Sequence, residues 1–415
     1  MPRIRTAAAA LALTALVLAG CSGDPMPTPS PSASPTPTPE GSFGDGELLI
    51  GSLVPMTGSD AGIALAQVAG VELAVREINE AGGVGGVPIV TVHRDSGDAS
   101  TETLAESFAE LVDRGVDVVI GPSSVDLARR LAPLAVEAGV MVISPAISDP
   151  SAGSIDASGL FARTLPSAAY DGAGIAAQLP PRARVGVVYF SDATGKGIRD
   201  SLADALPAAQ SQLVTTLALT PSMRNPDTII DKLNAARVNV VVYAGSAGRT
   251  EQNTIMLTAL AEADIAPALW LTSPVIARHN VAPGTLEGAL AIRAGGAADD
   301  EFTTRLRSAD PRATDQRTGA EAYDAVILAA LAATVAGDDG GVAISRTIAG
   351  VSADGISCHS WAHCLHVLDT SDAWGNNINY EGQSGSIDFG SDLSAVPSHY
   401  GVFILDAKNS PKPAP

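Results

Sequence analysis

Positive charge is scarce in this chain. Lysine and arginine number 25 against 45 aspartates and glutamates, a formal net charge of −20 in 415 residues. No basic patch offsets that excess, so nucleic acid and anionic lipid surfaces are excluded as electrostatic partners. Histidine is also rare: three of the six, His359, His363 and His366, crowd the stretch CHSWAHCLH. No serine, cysteine or carboxylate pair stands with a base at a spacing that nucleophilic catalysis uses, and no enzyme is expected. Nucleotide loops are missing too. The glycines of Gly82–Gly86 follow a helix rather than a strand, and TGKG at Thr194–Gly197 has the wrong spacing for a phosphate loop and reads as a helix entrance. No cofactor is expected. The apolar run from Ala7 to Leu18, about a dozen residues behind Arg3 and Arg5, has signal-peptide length and is too short to span a bilayer as a mature helix.

Cysteine occurs three times. Leu18-Ala19-Gly20-Cys21 resembles a bacterial lipobox, whose cysteine is lipidated and becomes the first residue after cleavage. Residues 1–20 are then a lipoprotein signal peptide, and the mature chain is exported and lipid-anchored to the outer face of the cell membrane. With Cys21 lipidated, Cys358 and Cys364 are the remaining pair, and an oxidising compartment makes a disulfide the default. The adjacent histidines raise a metal site as the alternative. Their spacing matches no two-plus-two zinc pattern, so no metal is expected. Across residues 21–46 prolines recur at nearly every second or third position, which favours an extended polyproline tether.

The stretch Val116 to Ser148, VDVVIGPSSVDLARRLAPLAVEAGVMVISPAIS, organises the folded part. Val116–Ile120 and Val140–Ile143 are β-branched runs, and between them Leu127, Leu131, Leu134 and Ala135 share a helical face. Two parallel strands follow. Each ends in a small, hydroxyl-bearing loop, Gly121-Pro122-Ser123-Ser124 and Ser144-Pro145-Ala146-Ile147-Ser148. Ligands of open parallel sheets bind beyond the carboxyl ends of strands, where free amides favour an anion.

Before this stretch, Glu47–Pro55 and Pro88–His93 read as strands, with helices over Ala66–Ala81 and Thr101–Arg114. After it, Leu160–Thr164 reads as a crossing strand. A second series follows: strands at Arg184–Tyr189, Leu213–Leu219, Val238–Tyr243 and Ala268–Leu271, and helices at Gly197–Leu206, Pro226–Ala236 and Thr250–Ala263. Leu290–Ala294 recrosses, helices at Glu301–Ser308 and Gly319–Ala336 return to the first lobe, and strands follow at Ser386–Phe389 and Tyr400–Leu405. The fold class is α/β, two doubly wound α/β lobes joined by a multi-strand hinge. The first lobe is 47–164 with 296–389, including a disulfide-pinned inserted loop at 358–364. The second is 165–295 with 390–408, and 409–415 is expected as a disordered tail.

IGSLVPMTG, GVELAVREINEAGGVGG, VVIGPSS, VISPAIS, FARTLPS, AEAYDAV and NYEGQSGSIDF occur in this order between Leu48 and Leu405. In that order and spacing they resemble the leucine/isoleucine/valine-binding-like substrate-binding proteins of ABC transporters, the type I periplasmic-binding-protein fold. The resemblance implies a monomeric solute-binding lipoprotein that captures a small ligand, an amino acid or a related carboxylate or amide, and delivers it to an ABC permease. A ligand-sensing or cell-envelope regulatory lipoprotein of the same fold is the alternative.

The family's contacts transfer position by position. Its ligand carboxylate is held by the two loops of the opening stretch. Ala146 matches the backbone donor and Ser148 the hydroxyl donor, with Ser123 and Ser124 in the first loop. An ungapped alignment puts Val125 at the family's main serine, and serines at helix starts also serve as plain N-caps. On the second lobe the contacts fall on Thr194, where the family stacks a tyrosine, on Ser246, and on Ser273. The loop Thr272-Ser273-Pro274 lacks the acid that pairs with a ligand ammonium, and a buried ammonium without a counter-charge is costly. Tyr323 reads as core, and Asp324 as a helix-surface or structural hydrogen-bonding acid, with replacement of the missing acid as its alternative.

Overall fold

The computed structural model describes residues 44–58, 61–263, 268–296, 298–313, 317–370 and 378–414. The signal segment, Cys21 and most of the expected tether lie outside the described residues.

Continuous aliphatic runs become strands covered on both faces, as a parallel sheet between helices requires. Val118–Ile120 and Val240–Ala244 are buried throughout. The first lobe opens with β1 (Leu49–Val54), α1 (Ala64–Glu80), β2 (Val90–Asp95), α2 (Thr103–Val112), β3 (Val118–Ile120), α3 (Val125–Ala138), β4 (Met141–Ser144) and β5 (Phe161–Arg163). Its sheet has the order β2-β1-β3-β4-β5 and is parallel throughout. The chain then makes α4 (Tyr170–Gln178), β6 (Arg184–Phe190), α5 (Ala193–Ala205), β7 (Gln212–Leu219), α6 (Asp227–Ala236), β8 (Val240–Ala244), α7 (Thr250–Glu262), β9 (Ala268–Leu271) and β10 (Leu290–Ala294). Three helices follow, α8 (Asp300–Ala309), α9 (Gly319–Ala336) and α10 (Gly341–Thr347), then β11 (Ile356–Cys358), α11 (Trp361–Thr370), β12 (Ile378–Gly382), β13 (Gly385–Ser386), β14 (Asp388–Phe389), β15 (Ala395–Val396), β16 (Tyr400–Leu405) and β17 (Pro411–Pro413).

The second sheet has the order β17-β16-β10-β9-β8-β6-β7, with β16 and β17 antiparallel. Leu290–Ala294 is thus a strand of the second lobe, and the return to the first lobe comes after it. In both sheets the order reverses beside the lobe's first strand, between β1 and β3 and between β6 and β8. Such a switch point opens a crevice at the carboxyl edge of the sheet.

The centre of the first lobe is α9, buried from Gly319 to Ala333. It is apolar and long enough to cross a membrane, yet 83% of it is buried in protein, as befits a core helix. It crosses α1 closely because Gly70 has no side chain: a Cβ there would lie 2.2 Å from the Gly319 carbonyl oxygen.

Several expectations need correction. The helix α4 was not anticipated, since YDGAGIAAQ offers little contrast between faces. The cysteine segment is no inserted loop: β11 pairs with β12, and Cys358, Trp361, Cys364 and Val367 belong to the first-lobe core. The two Sγ atoms are 2.00 Å apart. The tail expected to be disordered from 409 carries β17, and buried Asn409 accepts from the Leu286 amide at 3.1 Å and donates to the Ala282 carbonyl at 2.8 Å. The tether ends early. Gly44 donates to Asp338 at 2.9 Å and Gly46 to Asp339 at 3.1 Å, which docks residues 44–46 onto the first lobe.

Candidate functional site

The first-lobe loops leave adjacent strands. Gly121 has φ +131° and passes so close to β1 that a Cβ would sit 2.1 Å from the Leu53 carbonyl oxygen, so only glycine fits. Ser144 Oγ donates to the Pro122 carbonyl at 2.7 Å and ties the two loops together. Ser123 Oγ donates to Gln67 Oε1 at 3.0 Å, and the buried Gln67 donates through Nε2 to Thr318 Oγ1 at 2.9 Å. The first loop is thereby referenced to the start of α9. Ser124 is the N-cap of α3, its Oγ accepting from the Leu127 amide at 3.4 Å, so it serves the helix start.

In the second loop the Ala146 amide reaches Ser144 Oγ at 3.4 Å. Ser148 is half-buried, and its one hydrogen bond among the described residues is at its carbonyl, from the Ala168 amide at 2.8 Å. Its neighbours are held from behind by Arg163, which is 2% exposed. Nη1 of Arg163 donates to the carbonyls of Ile147 at 3.3 Å and Asp149 at 2.9 Å. Nε and Nη2 donate to Ser394 Oγ at 2.9 and 2.7 Å. Burial pulls the Arg163 pKa down, opposed by Asp392 and Asp149, and a guanidinium stays charged despite this.

The second-lobe loops rest on other anchors. Thr194 lies in the first turn of α5, which Asp192 caps by accepting from the Gly195 amide at 2.8 Å. The Ser246 carbonyl accepts from buried Asn253 at 2.8 Å, and Asn253 also donates to the Arg278 carbonyl at 2.9 Å and accepts from Tyr243 OH at 2.9 Å. The Ser273 amide donates to Asp171 Oδ2 at 2.7 Å, and the Ala294 amide to Asp171 Oδ1 at 3.2 Å. Burial pushes the Asp171 carboxyl up to about 7, against the pull of Ser273, Ala294 and the Arg293 charge. The acid absent from Thr272-Ser273-Pro274 therefore has a buried counterpart beneath that loop, supplied by α4. The lobes approach each other where α5 begins: a Cβ at Gly197 would lie 3.1 Å from Pro150, two residues past Ser148.

Behind these loops an ion pair crosses between lobes, from Arg293 on β10 to Glu321 on α9. Glu321 is 2% exposed, and its carbonyl accepts from Thr164 Oγ1 at 2.9 Å. The neighbouring residues of α9 are structural. Tyr323 donates to Glu77 at 2.6 Å and meets Phe302 edge-on, ring centroids 5.3 Å apart. Asp324 is buried and accepts from Tyr380 OH, the amides of Gln383 and Ser384, and Ser384 Oγ at 2.6–2.8 Å.

The predicted residues thus fall into two groups, Ser123, Ser124, Ala146 and Ser148 at one sheet's carboxyl edge and Thr194, Ser246 and Ser273 at the other's. Sequence reasoning missed Gln67, Arg163, Asp171, Arg293 and Glu321. A charged residue inside an apolar segment, as in LFART, was the available signal. It also missed a hydroxyl–imidazole–carboxylate chain: Ser52 Oγ and His93 Nδ1 are 2.6 Å apart, as are His93 Nε2 and Glu72 Oε1. Ser52 lies fully buried within β1, where no substrate carbonyl can reach it, so the chain is a structural link.

Residues 47–366 match the family described as periplasmic binding protein. The chemotactic signal transduction substrate-binding protein BasB of Halobacterium salinarum is 26% identical over 373 residues, 86% of this chain and 87% of its own. The Leu/Ile/Val-binding protein BraC3 of Rhizobium johnstonii is 28% identical over 206 residues, 48% of this chain and about half, 54%, of its own length. Two solved structures share the fold. An ABC transporter substrate-binding protein from Desulfitobacterium hafniense in complex with Leu has a TM-score of 0.67 at 20% identity, covering 89% of this chain and 100% of that one. A solute-binding protein from R. palustris in complex with 4-hydroxybenzoate has a TM-score of 0.64 at 15% identity, covering 89% and 96%. The family match takes in the first sheet, five of the second sheet's seven strands and both switch-point crevices, and this chain belongs to the periplasmic binding protein family.

Proposed function

We propose that the protein is an extracytoplasmic solute-binding lipoprotein that captures a small ligand between its lobes and hands it to an ABC permease. The ligand is an amino acid or a related small carboxylate or amide. The observation behind this reading is the Ser148 loop. Arg163 holds the carbonyls on either side of Ser148, which leaves that residue's hydroxyl and amide for a ligand acceptor group. Ser123, Ser124 and Ala146 complete the first jaw. Thr194, Ser246 and Ser273 form the opposing one, and closure brings 47–164 with 296–389 against 165–295 with the carboxyl-terminal strands.

A ligand ammonium is not required. The acid beneath Ser273 is already committed to two backbone amides, and relatives of this fold bind both Leu and 4-hydroxybenzoate. The chain reaches its site of action through residues 1–20 as a signal peptide, a lipid on Cys21, a proline-rich tether, and an oxidised Cys358–Cys364 pair, and it works as a monomer.

A melting-temperature screen of the mature protein against amino acids, amides and small carboxylates tests this. Ligand at a hundredfold its Kd stabilises by about 2.7 kcal/mol, and a screen with no shift removes the main support. With a hit in hand, Ser148→Ala weakens binding by about 1–3 kcal/mol through loss of a charge-assisted hydrogen bond. Unchanged affinity by calorimetry takes Ser148 out of the site.

The resemblance to BasB over most of the chain favours a second reading, a sensing protein. Uptake of the identified ligand by cells lacking this protein separates the two: lost uptake means transport, and intact uptake with a lost response means sensing.

A further inference from the structure

The strand-end serines are not the only place where polar groups meet open space. A cavity of about 240 Å³ lies behind them at the hinge, lined by Arg293 and Glu321 and by Phe302, Thr303 and Leu306 of α8. None of the seven predicted contact residues lines it. That volume is about eight waters' worth of liquid, the bulk of a ligand with roughly that many non-hydrogen atoms.

The chemistry of its wall is uneven. Arg293 donates through Nη2 to Glu321 and to no other described residue, although a guanidinium has five N–H donors in a planar fork. Its side chain keeps 27% of its surface, against 2% for Glu321. Glu321 is thus the more enclosed of the pair, while Arg293 keeps exposed surface and lines the cavity, with buried Asp171 the other charge acting on it. Phe302 and Leu306 supply an apolar wall. A compact anion with an apolar body fits both halves: its carboxylate takes the unused Arg293 donors, bidentate recognition that guanidinium favours, and its body covers the wall.

We propose that this cavity is a second binding site, distinct from the strand-end cleft, for a small monocarboxylate with an aromatic or branched apolar body. It goes beyond the capture function, because its contacts come from β10, α8 and α9 rather than from the loops at the switch points.

Benzoate is the probe, titrated into the full mature protein by calorimetry up to about 10 mM, the range where a site this small is readable. Three variants separate the sites. Arg293→Gln removes one of the two guanidinium groups on the wall, leaving Arg317, which has a partner of its own; Thr303→Leu fills the cavity without touching the Arg293–Glu321 pair, and Ser148→Ala alters only the cleft. The expected result is saturable benzoate binding that weakens about tenfold or more in both hinge variants and is unchanged in Ser148→Ala. Circular dichroism checks that Arg293→Gln still folds; if it does not, Thr303→Leu decides alone. Binding weakened only by Ser148→Ala puts benzoate in the cleft, which overturns the hinge site and leaves the capture function standing. No saturable binding to the wild type, or binding indifferent to all three changes, also overturns the hinge site.

Discussion

The two jaws pin their loops with opposite charges. In the first, buried Arg163 grips the carbonyls of Ile147 and Asp149. In the second, buried Asp171 grips the amides of Ser273 and Ala294. A cation that occupies carbonyls leaves the Ser148 amide and hydroxyl unspent, whereas an anion that occupies amides uses the groups an acidic ligand would need. The first jaw is therefore built to receive an acceptor group. On the proposed function, a carboxylate ligand has its acid towards Ser148 and faces the hydroxyls of Thr194 and Ser246 on the second jaw.

The largest test of this contrast is Arg163→Met. It strands the Ile147 carbonyl inside the protein at a cost of about 1–3 kcal/mol, while the Asp149 carbonyl keeps the Ala152 amide and the Ser394 hydroxyl keeps Asp392. The lost bonds to Asp149 and Ser394 add to this, and the expected loss is about 3 kcal/mol in urea unfolding. Ligand affinity falls with it, since the Ser148 loop loses its backing. A loss below about 1 kcal/mol would show that the loop holds its shape without the cation.

Asp171 provides the next test, through pH. It titrates near 7 in the folded protein and near the ordinary 3.8 when unfolded. Between those values the folded state holds the extra proton. Its stability contribution is therefore full below about pH 4, declines as pH rises, and levels off above about pH 7. From pH 5.5 to 7.5 the loss from this group is about 2 kcal/mol. Asp117 adds a decline of the same sign, raised to about 7 by burial, with repulsion from Asp339, Asp45 and Asp338 adding to it. Asp171→Asn keeps an acceptor for Ser273 and cannot titrate, so urea unfolding at the two pH values should lose the Asp171 share of the pH dependence, about 2 kcal/mol over this interval. A slope that survives in full would assign the effect to groups outside the second jaw.

These anchors were invisible to sequence reasoning for a physical reason. Val118–Ile120, Val240–Ala244 and the Gly-Pro-Ser-Ser loop announce themselves within a window of a few residues, through β-branching, glycine and proline. The parallel, doubly wound class and the hydroxyl-bearing loops were legible from such windows, while strand order came from the sheet pairings alone. Arg163 meets Ser394 across 231 residues, Gln67 meets Thr318 across 251, and Asp171 meets the Ser273 amide across 102. No local pattern encodes those pairings. The helix that presents Asp171 was missed as well, because glycine and alanine on every face of YDGAGIAAQ blur its period. The Thr272-Ser273-Pro274 loop itself holds no acid, and the fold delivers one from beneath.

The smallest effect sharpens the first jaw internally. Ser124 and Ser148 have the same side chain in neighbouring loops, yet Ser124 Oγ is bonded to the Leu127 amide while Ser148 Oγ meets no described residue. An N-cap serine contributes about 0.5–2 kcal/mol, and at 3.4 Å this bond belongs at the lower end. Ser124→Ala should cost about 0.5 kcal/mol in urea unfolding. Ser148→Ala should leave stability within about 0.5 kcal/mol and act on affinity instead. The two serines thus separate by which measurement moves. If Ser124→Ala weakened the ligand as much as Ser148→Ala, its hydroxyl would be serving the helix and the ligand together, the cap lone pair facing α3 and the proton facing the cleft.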